Sequence, residues 1–144
     1  MVGVKDIPAE KLVGRLKEEL KKFEGIKPPE WSRFAKSGVN RERPSVQPDF
    51  WYIRSASVLR RLYLDGPVGV EKLRTFYGGR KRRRTMPAKF RKGSGSVIRK
   101  ILQQLDATGL TEKVEKGKRG RVLASKGRKL LDNLAYELSK TKSD

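Results

Sequence analysis

The chain has 144 residues, about one domain's worth, and carries 36 Lys and Arg against 16 Asp and Glu, a formal charge of +20. It contains no Cys and no His, which removes disulfides, thiolate chemistry, sulfur-ligated metals and the commonest general base, so neither an enzyme nor a cofactor is expected. A charge of this size calls for a polyanionic partner, and a membrane is disfavoured because no apolar run approaches the roughly 20 residues of a spanning helix.

The opening residues, Met1 to Lys11, hold no apolar stretch of signal-peptide kind. A first helix is expected within residues 6–24. Asp6 is placed to cap it, Pro8 suits its first turn, and Glu10 faces the positive end of its dipole. Leu12, Val13, Leu16, Leu20 and Phe23 recur at helical spacing as one apolar stripe, and Gly25 ends it. The opposite face carries Lys11, Arg15, Lys21 and Lys22, with Glu18 set to pair with Arg15 and Lys22. A face of mixed sign reads as solvated. Residues 27–48 form an irregular surface arm: Pro28-Pro29 stops a helix, and Trp31 and Phe34 are expected to pin the arm to the core.

Asp49 is the expected N-cap of a second long helix, Phe50 to Leu64. Tyr52, Ala56, Leu59 and Tyr63, widened by Leu62, are expected to face inward. Arg54, Ser57, Arg60 and Arg61 lie elsewhere on the helix. Arginines among small residues would admit a phosphate backbone, and three solvated arginines would give the same pattern. Asp65-Gly66-Pro67 then breaks the chain. A short helix, Val70 to Tyr77, turns Val70, Leu73 and Phe76 or Tyr77 inward.

Between Lys72 and Leu105 there are twelve Lys or Arg and no Asp or Glu. Such a run cannot be core, and its charges repel one another at low salt, so only a polyanion would stabilise it. Residues 78–93 read as a loop, punctuated by Gly78-Gly79 and by Gly93-Ser94-Gly95, where glycine lets a phosphate approach main-chain N–H groups. The loop's apolar content is too small to offset the entropy of ordering Arg80 to Lys92, so mobility is expected until a polyanion binds. Its candidate contacts are Arg80, Arg82, Arg83, Arg84, Lys89, Arg91 and Lys92. A third helix follows, about Ser96 to Ala107, with Val97, Ile98, Ile101, Leu102 and Leu105 inward and Arg99 and Lys100 off that face. Ser94 or Ser96 can cap it, leaving an N-terminus suited to an anion.

Leu110 to Glu115 and Arg121 to Ala124 read as a hairpin around the basic turn Lys116 to Gly120. Ser125 caps a last helix with Leu130, Leu131, Leu134 and Leu138 at helical spacing. This order predicts a mainly α fold in one domain, 1–144. A winged helix-turn-helix core (49–140) carries an extra N-terminal helix and a β-hairpin wing (110–124). Lys116, Lys118 and Arg119 lie at the wing tip.

Several pieces resemble the S-nineteen-e family of small-subunit ribosomal proteins of archaeal and eukaryotic type. They are YGGR (Tyr77–Arg80), the Pro87…Phe90 pair, GSGSV (Gly93–Val97) and LQQLD (Leu102–Asp106). Upstream, Pro29-Glu30-Trp31, Asp49, Trp51-Tyr52, Arg54-Ser55-Ala56-Ser57, Arg60 and Leu62-Tyr63-Leu64 match a second signature, so the likeness covers nearly the whole chain. It implies a winged-helix core in the head of the small subunit, bound to ribosomal RNA beside neighbouring small-subunit proteins, with a role in maturing that subunit in the cytoplasm. The free protein is expected to be a monomer. Carried over, the RNA-facing residues are Arg54, Arg60, Arg80, Arg82, Gly93, Ser94 and Arg99. Arg84 stands where the family leads one to expect glycine, Lys89 where it has histidine, and Ser55 where it has alanine.

Two rival functions fit the sequence less well. A winged-helix transcriptional regulator places its recognition helix after a short turn, to enter a DNA major groove. Here Gly78 to Gly93 intervene and carry eight basic residues, which suits folded RNA read by shape and phosphate contact. A metal-dependent nuclease would need a DxD or paired carboxylates, and the acidic residues are scattered.

Overall fold

The computed structural model describes residues 3–45, 47–114, 116–117 and 120–143. Among these, the order is α1 (Ala9–Leu20), α2 (Phe50–Asp65), α3 (Val70–Tyr77), β1 (Gly79–Arg83), β2 (Met86–Arg91), α4 (Gly95–Thr108), β3 (Thr111–Val114), β4 (Gly120–Leu123) and α5 (Ser125–Ser143). The fold is mainly helical, with β1–β2 and β3–β4 as two separate antiparallel pairs. No described helix is long and apolar enough to cross a membrane.

Helix α1 starts later than expected. Pro8, in an extended conformation, occupies its N-cap position. Asp6 instead closes a 3-10 turn, Val4–Asp6, by accepting from the Gly3 N–H at 2.9 Å. Leu12, Leu16 and Leu20 are fully buried, as their spacing predicted, with Val13 and Phe23 at the edge of the core. The ion pairs of α1 differ from the expected set. Glu19 pairs with Arg15 (3.5 Å) and Lys22 (3.1 Å), while Glu18 meets Lys21 at 3.4 Å. Adjacent glutamates both satisfy the three- or four-residue spacing, so helical spacing alone does not choose between them.

Helix α2 is covered on several sides, touching α1, α4, α5 and β4. Trp51, Ala56, Val58, Leu59 and Leu62 are buried. Tyr52 and Tyr63 pack against the core as expected, but only part-buried at its rim. A helix flanked by neighbours buries more than one stripe, so Trp51 and Val58 take inner positions that a single stripe leaves out. Ser55 is buried and satisfied, its Oγ donating to the Trp51 carbonyl at 2.8 Å. Asp49 sits at the N-cap position, but its side chain makes no cap. It reaches α1 instead, 3.2 Å from Lys21 and 3.4 Å from Lys17, and the hydrogen bond from Lys21 holds its carboxyl below the usual range.

The LQQLD segment is a structural hub. Leu102 and Leu105 are fully buried. Gln104 accepts from the Trp51 indole N–H at 2.8 Å and donates to the Lys27 carbonyl at 2.7 Å, tying the start of the arm to α2 and α4. Trp31 meets Trp51 edge-on, with ring centroids 5.9 Å apart. Phe34 does not pin the arm: it is 82% exposed, because the 3-10 turn Glu30–Arg33 ends before it and carries it outward. Asp106 accepts from the Thr111 hydroxyl and lies 3.2 Å from Arg121 Nε, fixing the end of α4 to both strands of the second hairpin.

That hairpin pairs Thr111 with Leu123 and Val114 with Gly120. Val68 bridges to Arg121 through hydrogen bonds of 3.0 and 2.9 Å, adding a single residue as a third rung beside β4. Gly120 has φ +137°, and a Cβ there would lie 2.6 Å from the Val68 carbonyl carbon, so the contact requires glycine. At the expected wing tip, Lys118 and Arg119 lie outside the described residues. Ser125 is the first residue of α5 rather than its cap, since Arg128 N–H donates to the Ala124 carbonyl.

Leu59→Ala should cost roughly 2–5 kcal/mol through the cavity it leaves, read as a lower urea midpoint. Asp106→Ala should cost about 1–3 kcal/mol by stranding the buried Thr111 hydroxyl, read in the same unfolding curves.

Candidate nucleic-acid interface

Three of the expected residues, Arg54, Arg60 and Arg61, lie on the uncovered face of α2, with Arg54 and Arg61 beside the end of α3. The Arg54 guanidinium stacks 4.2 Å from the Tyr77 ring centroid and 5.3 Å from that of Phe50. Burial shifts the Arg54 pKa downward, with the nearby Arg41 charge adding to the effect. The Tyr77 hydroxyl shares a 2.7 Å hydrogen bond with Ser57, and burial pushes its pKa up. Arg60 is half-buried, its Nε lacking a hydrogen-bond partner among the described residues. Arg61 lies over the Phe76 ring at 4.0 Å and forms a 2.6 Å ion pair with Asp65. Arg54 and Arg60 are therefore partly built into the fold, and only their outer parts face solvent.

Residues 78–93 do not form the expected loop. β1 and β2 make a hairpin with Gly79 opposite Arg91, Arg80 opposite Phe90 and Lys81 opposite Lys89, with an irregularity before Arg83–Met86. The sequence hides it because cations occupy both faces: Arg80 and Arg82 are exposed, while Lys81 and Arg83 are half-buried along their stems. No apolar alternation survives to mark a strand. The turn is Arg84-Thr85, and Arg84 has φ +47°. That left-handed conformation favours glycine, so Arg84 carries a backbone cost there. Arg83 Nε donates to the Pro87 carbonyl at 2.9 Å, while Arg84, Lys89, Arg91 and Lys92 are exposed.

At the base of the hairpin the expected main-chain donors are already engaged. Gly93 is buried, and its N–H donates to the Arg74 carbonyl at 2.9 Å. Ser94 N–H donates to the Ser37 carbonyl at 2.8 Å, and Ser94 Oγ caps α4 by accepting from Val97 N–H at 3.4 Å. Arg99 and Lys100 are exposed in the first turns of α4.

Other cations, absent from the expected set, share this surface. Arg74 donates to the Gly93 carbonyl at 2.9 Å and pairs with Glu71 at 2.9 Å, and Lys92 reaches the other oxygen of Glu71 at 2.9 Å. These two partners, Lys92 first, hold the Glu71 carboxyl below its ordinary value. Gly38 bridges to Gly93, which lays the arm along the hairpin. Arg41 and Arg43 then line one concavity with Arg54, and Glu42 lines another with Arg82 and Arg84. The arm thus connects the α2 arginines to the hairpin as one cationic surface. Arg74 belongs to the acid-free run from Lys72 to Leu105, a signal that could have included it; the arm has no periodicity to mark its inner face.

Residues 3–141 match the sequence profile of the family described as Ribosomal protein S19e. The small ribosomal subunit protein eS19 of Aeropyrum pernix is 49% identical over 140 residues, spanning 96% of this chain and 90% of the relative. The protein of the same name from Haloarcula marismortui is 44% identical over 142 residues, spanning 96% and 92%. Small ribosomal subunit protein eS19G of Ascaris suum is 45% identical over 136 residues, spanning 94% and 91%. A family profile and relatives matched over almost the full length agree with the motifs on α2, the hairpin and α4, and the chain belongs to the ribosomal protein S19e family.

Proposed function

We propose that this protein is a structural component of the small ribosomal subunit, where it binds ribosomal RNA and supports subunit maturation. The observation that carries the reading is the continuous cationic surface from Arg54 along the arm to the hairpin. Arg54, Arg60, Arg80, Arg82, Arg84, Lys89, Arg91, Lys92, Arg99 and Lys100 supply phosphate contacts, with Arg61 and Arg83 behind them. Gly93 and Ser94 act by shaping the backbone at the base of the hairpin. Family membership supports the ribosomal setting, as do relatives that carry the small-subunit name. We read α2, α3, α4 and the β3–β4 hairpin as a winged helix, with the Val68 bridge completing its small sheet. The β1–β2 hairpin, inserted between α3 and α4, would obstruct a regular DNA groove and instead presents charge to folded RNA. Neighbouring small-subunit proteins are its other partners, and the free chain is a monomer.

A tagged copy should sediment with small subunits in a gradient of cell lysate; a tag found only at the top of the gradient would refute the reading. Binding of purified protein to small-subunit RNA should weaken steeply with salt. Each phosphate contact adds a slope of about 0.7–0.9 in log K against log salt, so several units are expected.

Arg54→Ala and Arg60→Ala separate binding from folding. Loss of stacking at Arg54 should cost about 0.5–2 kcal/mol, well short of Leu59→Ala. Both arginine variants should stay folded by circular dichroism and yet fall out of the small-subunit fractions. Normal incorporation of both would move the RNA surface elsewhere.

A further inference from the structure

We propose that the recess between the arm and the first hairpin takes one unpaired RNA base, stacked on Phe90 beside Val39, with its flanking phosphates on the surrounding cations. The proposal rests on the RNA-binding reading above and adds the kind of RNA element recognised. The recess has a volume of about 630 Å³, and its lining includes Lys36, Val39, Arg74, Phe90, Arg91 and Lys92 but no carboxylate.

Phe90 and Val39 are apolar side chains held out of the core, 50% and 54% exposed. The tip of the Phe90 ring lies against Gly78, where an added Cβ would come within 2.8 Å of Cζ. The opposite wall is held in place by the Gly38–Gly93 bridge and by Ser94 N–H donating to the Ser37 carbonyl. Glu71 does not line the recess but pairs with two of its cations, Arg74 and Lys92, each at 2.9 Å. Lys36 and Arg91 have no carboxylate partner among the described residues, which leaves them for an anion.

An aromatic ring beside an aliphatic wall, rimmed by cations, matches a base attached to phosphates. A phosphate alone has no use for Phe90, and an apolar peptide has no use for an acid-free rim of cations. Bases in a regular duplex are stacked on one another and cannot enter. An unpaired nucleotide in a loop or bulge satisfies both features, and stacking on an aromatic side chain tolerates any base.

The test is affinity for intact small-subunit RNA, measured over a range of salt for the full chain and three variants, with chemical probing of the bound RNA. Phe90→Leu should bind at least five-fold more weakly, in keeping with the loss of one stacked base. Its salt slope should stay that of the parent, because no phosphate contact is lost. One unpaired nucleotide protected by the parent should become reactive with Phe90→Leu and stay protected with Phe90→Tyr. Arg91→Ala should lower the slope instead. Parent-like affinity and protection in a folded Phe90→Leu variant would overturn the base pocket while leaving RNA binding intact. Failure of the parent itself to bind this RNA would overturn both readings.

Discussion

The cationic surface is held in place by the burial of α2. Leu59, Ala56 and Val58 are fully buried and Trp51 and Leu62 nearly so, which fixes the helix about its own axis. Arg54 and Arg60 therefore emerge on the uncovered face, about 120° apart around the axis, with Arg54 beside the end of α3. There Tyr77 receives the Arg54 guanidinium on its ring and bonds Ser57 through its hydroxyl. Well-packed apolar side chains resist rotation, so a surface arginine inherits its direction from residues it never touches.

A chain with a charge of +20 also has to keep like charges from disrupting its fold. Its acids are placed accordingly. Asp49 joins α2 to Lys17 and Lys21 of α1, Asp65 holds Arg61, Asp106 holds Arg121, and Glu71 divides between Arg74 and Lys92. The Asp49, Asp106 and Glu71–Lys92 pairs join different segments, Asp65–Arg61 and Glu71–Arg74 lie within one helix, and most cations of the hairpin have no carboxylate partner among the described residues. Asp49 and Glu71 both have lowered carboxyl pKa values. Their contribution to the fold is thus present above the unfolded carboxylate range and fades as pH falls through the folded values. Glu71 is exposed and Asp49 only part-buried, so water screens both and each contribution is small.

The inserted hairpin gives α4 a different setting from a helix reached by a tight turn. Its base is closed by Gly93, whose N–H bonds the Arg74 carbonyl, and the Gly38 bridge lays the arm against it. At the N-terminus of α4 the Ser94 N–H is thereby taken by the Ser37 carbonyl, and Arg74, Arg91 and Lys92 line the neighbouring recess.

The sequence by itself determined the helices, because each buries apolar residues at local spacing: α3 spans Val70–Tyr77 and α4 Gly95–Thr108, close to what Leu73 and the Val97-to-Leu105 stripe predict. It also determined the second hairpin, whose glycines are turn signals, and the family, whose motifs are contiguous. Only the tertiary structure decided that 79–91 pairs into a hairpin, since its strands bear cations on both faces and show no period of two. The same holds for Phe34 facing outward, for the choice of Glu19 over Glu18, and for Arg74, Arg41 and Lys36 joining the cationic surface. Local periodicity reports which side of an element is apolar. Which elements meet, and which of two equivalent charges finds a partner, depends on residues distant in the chain, as when Gly38 meets Gly93.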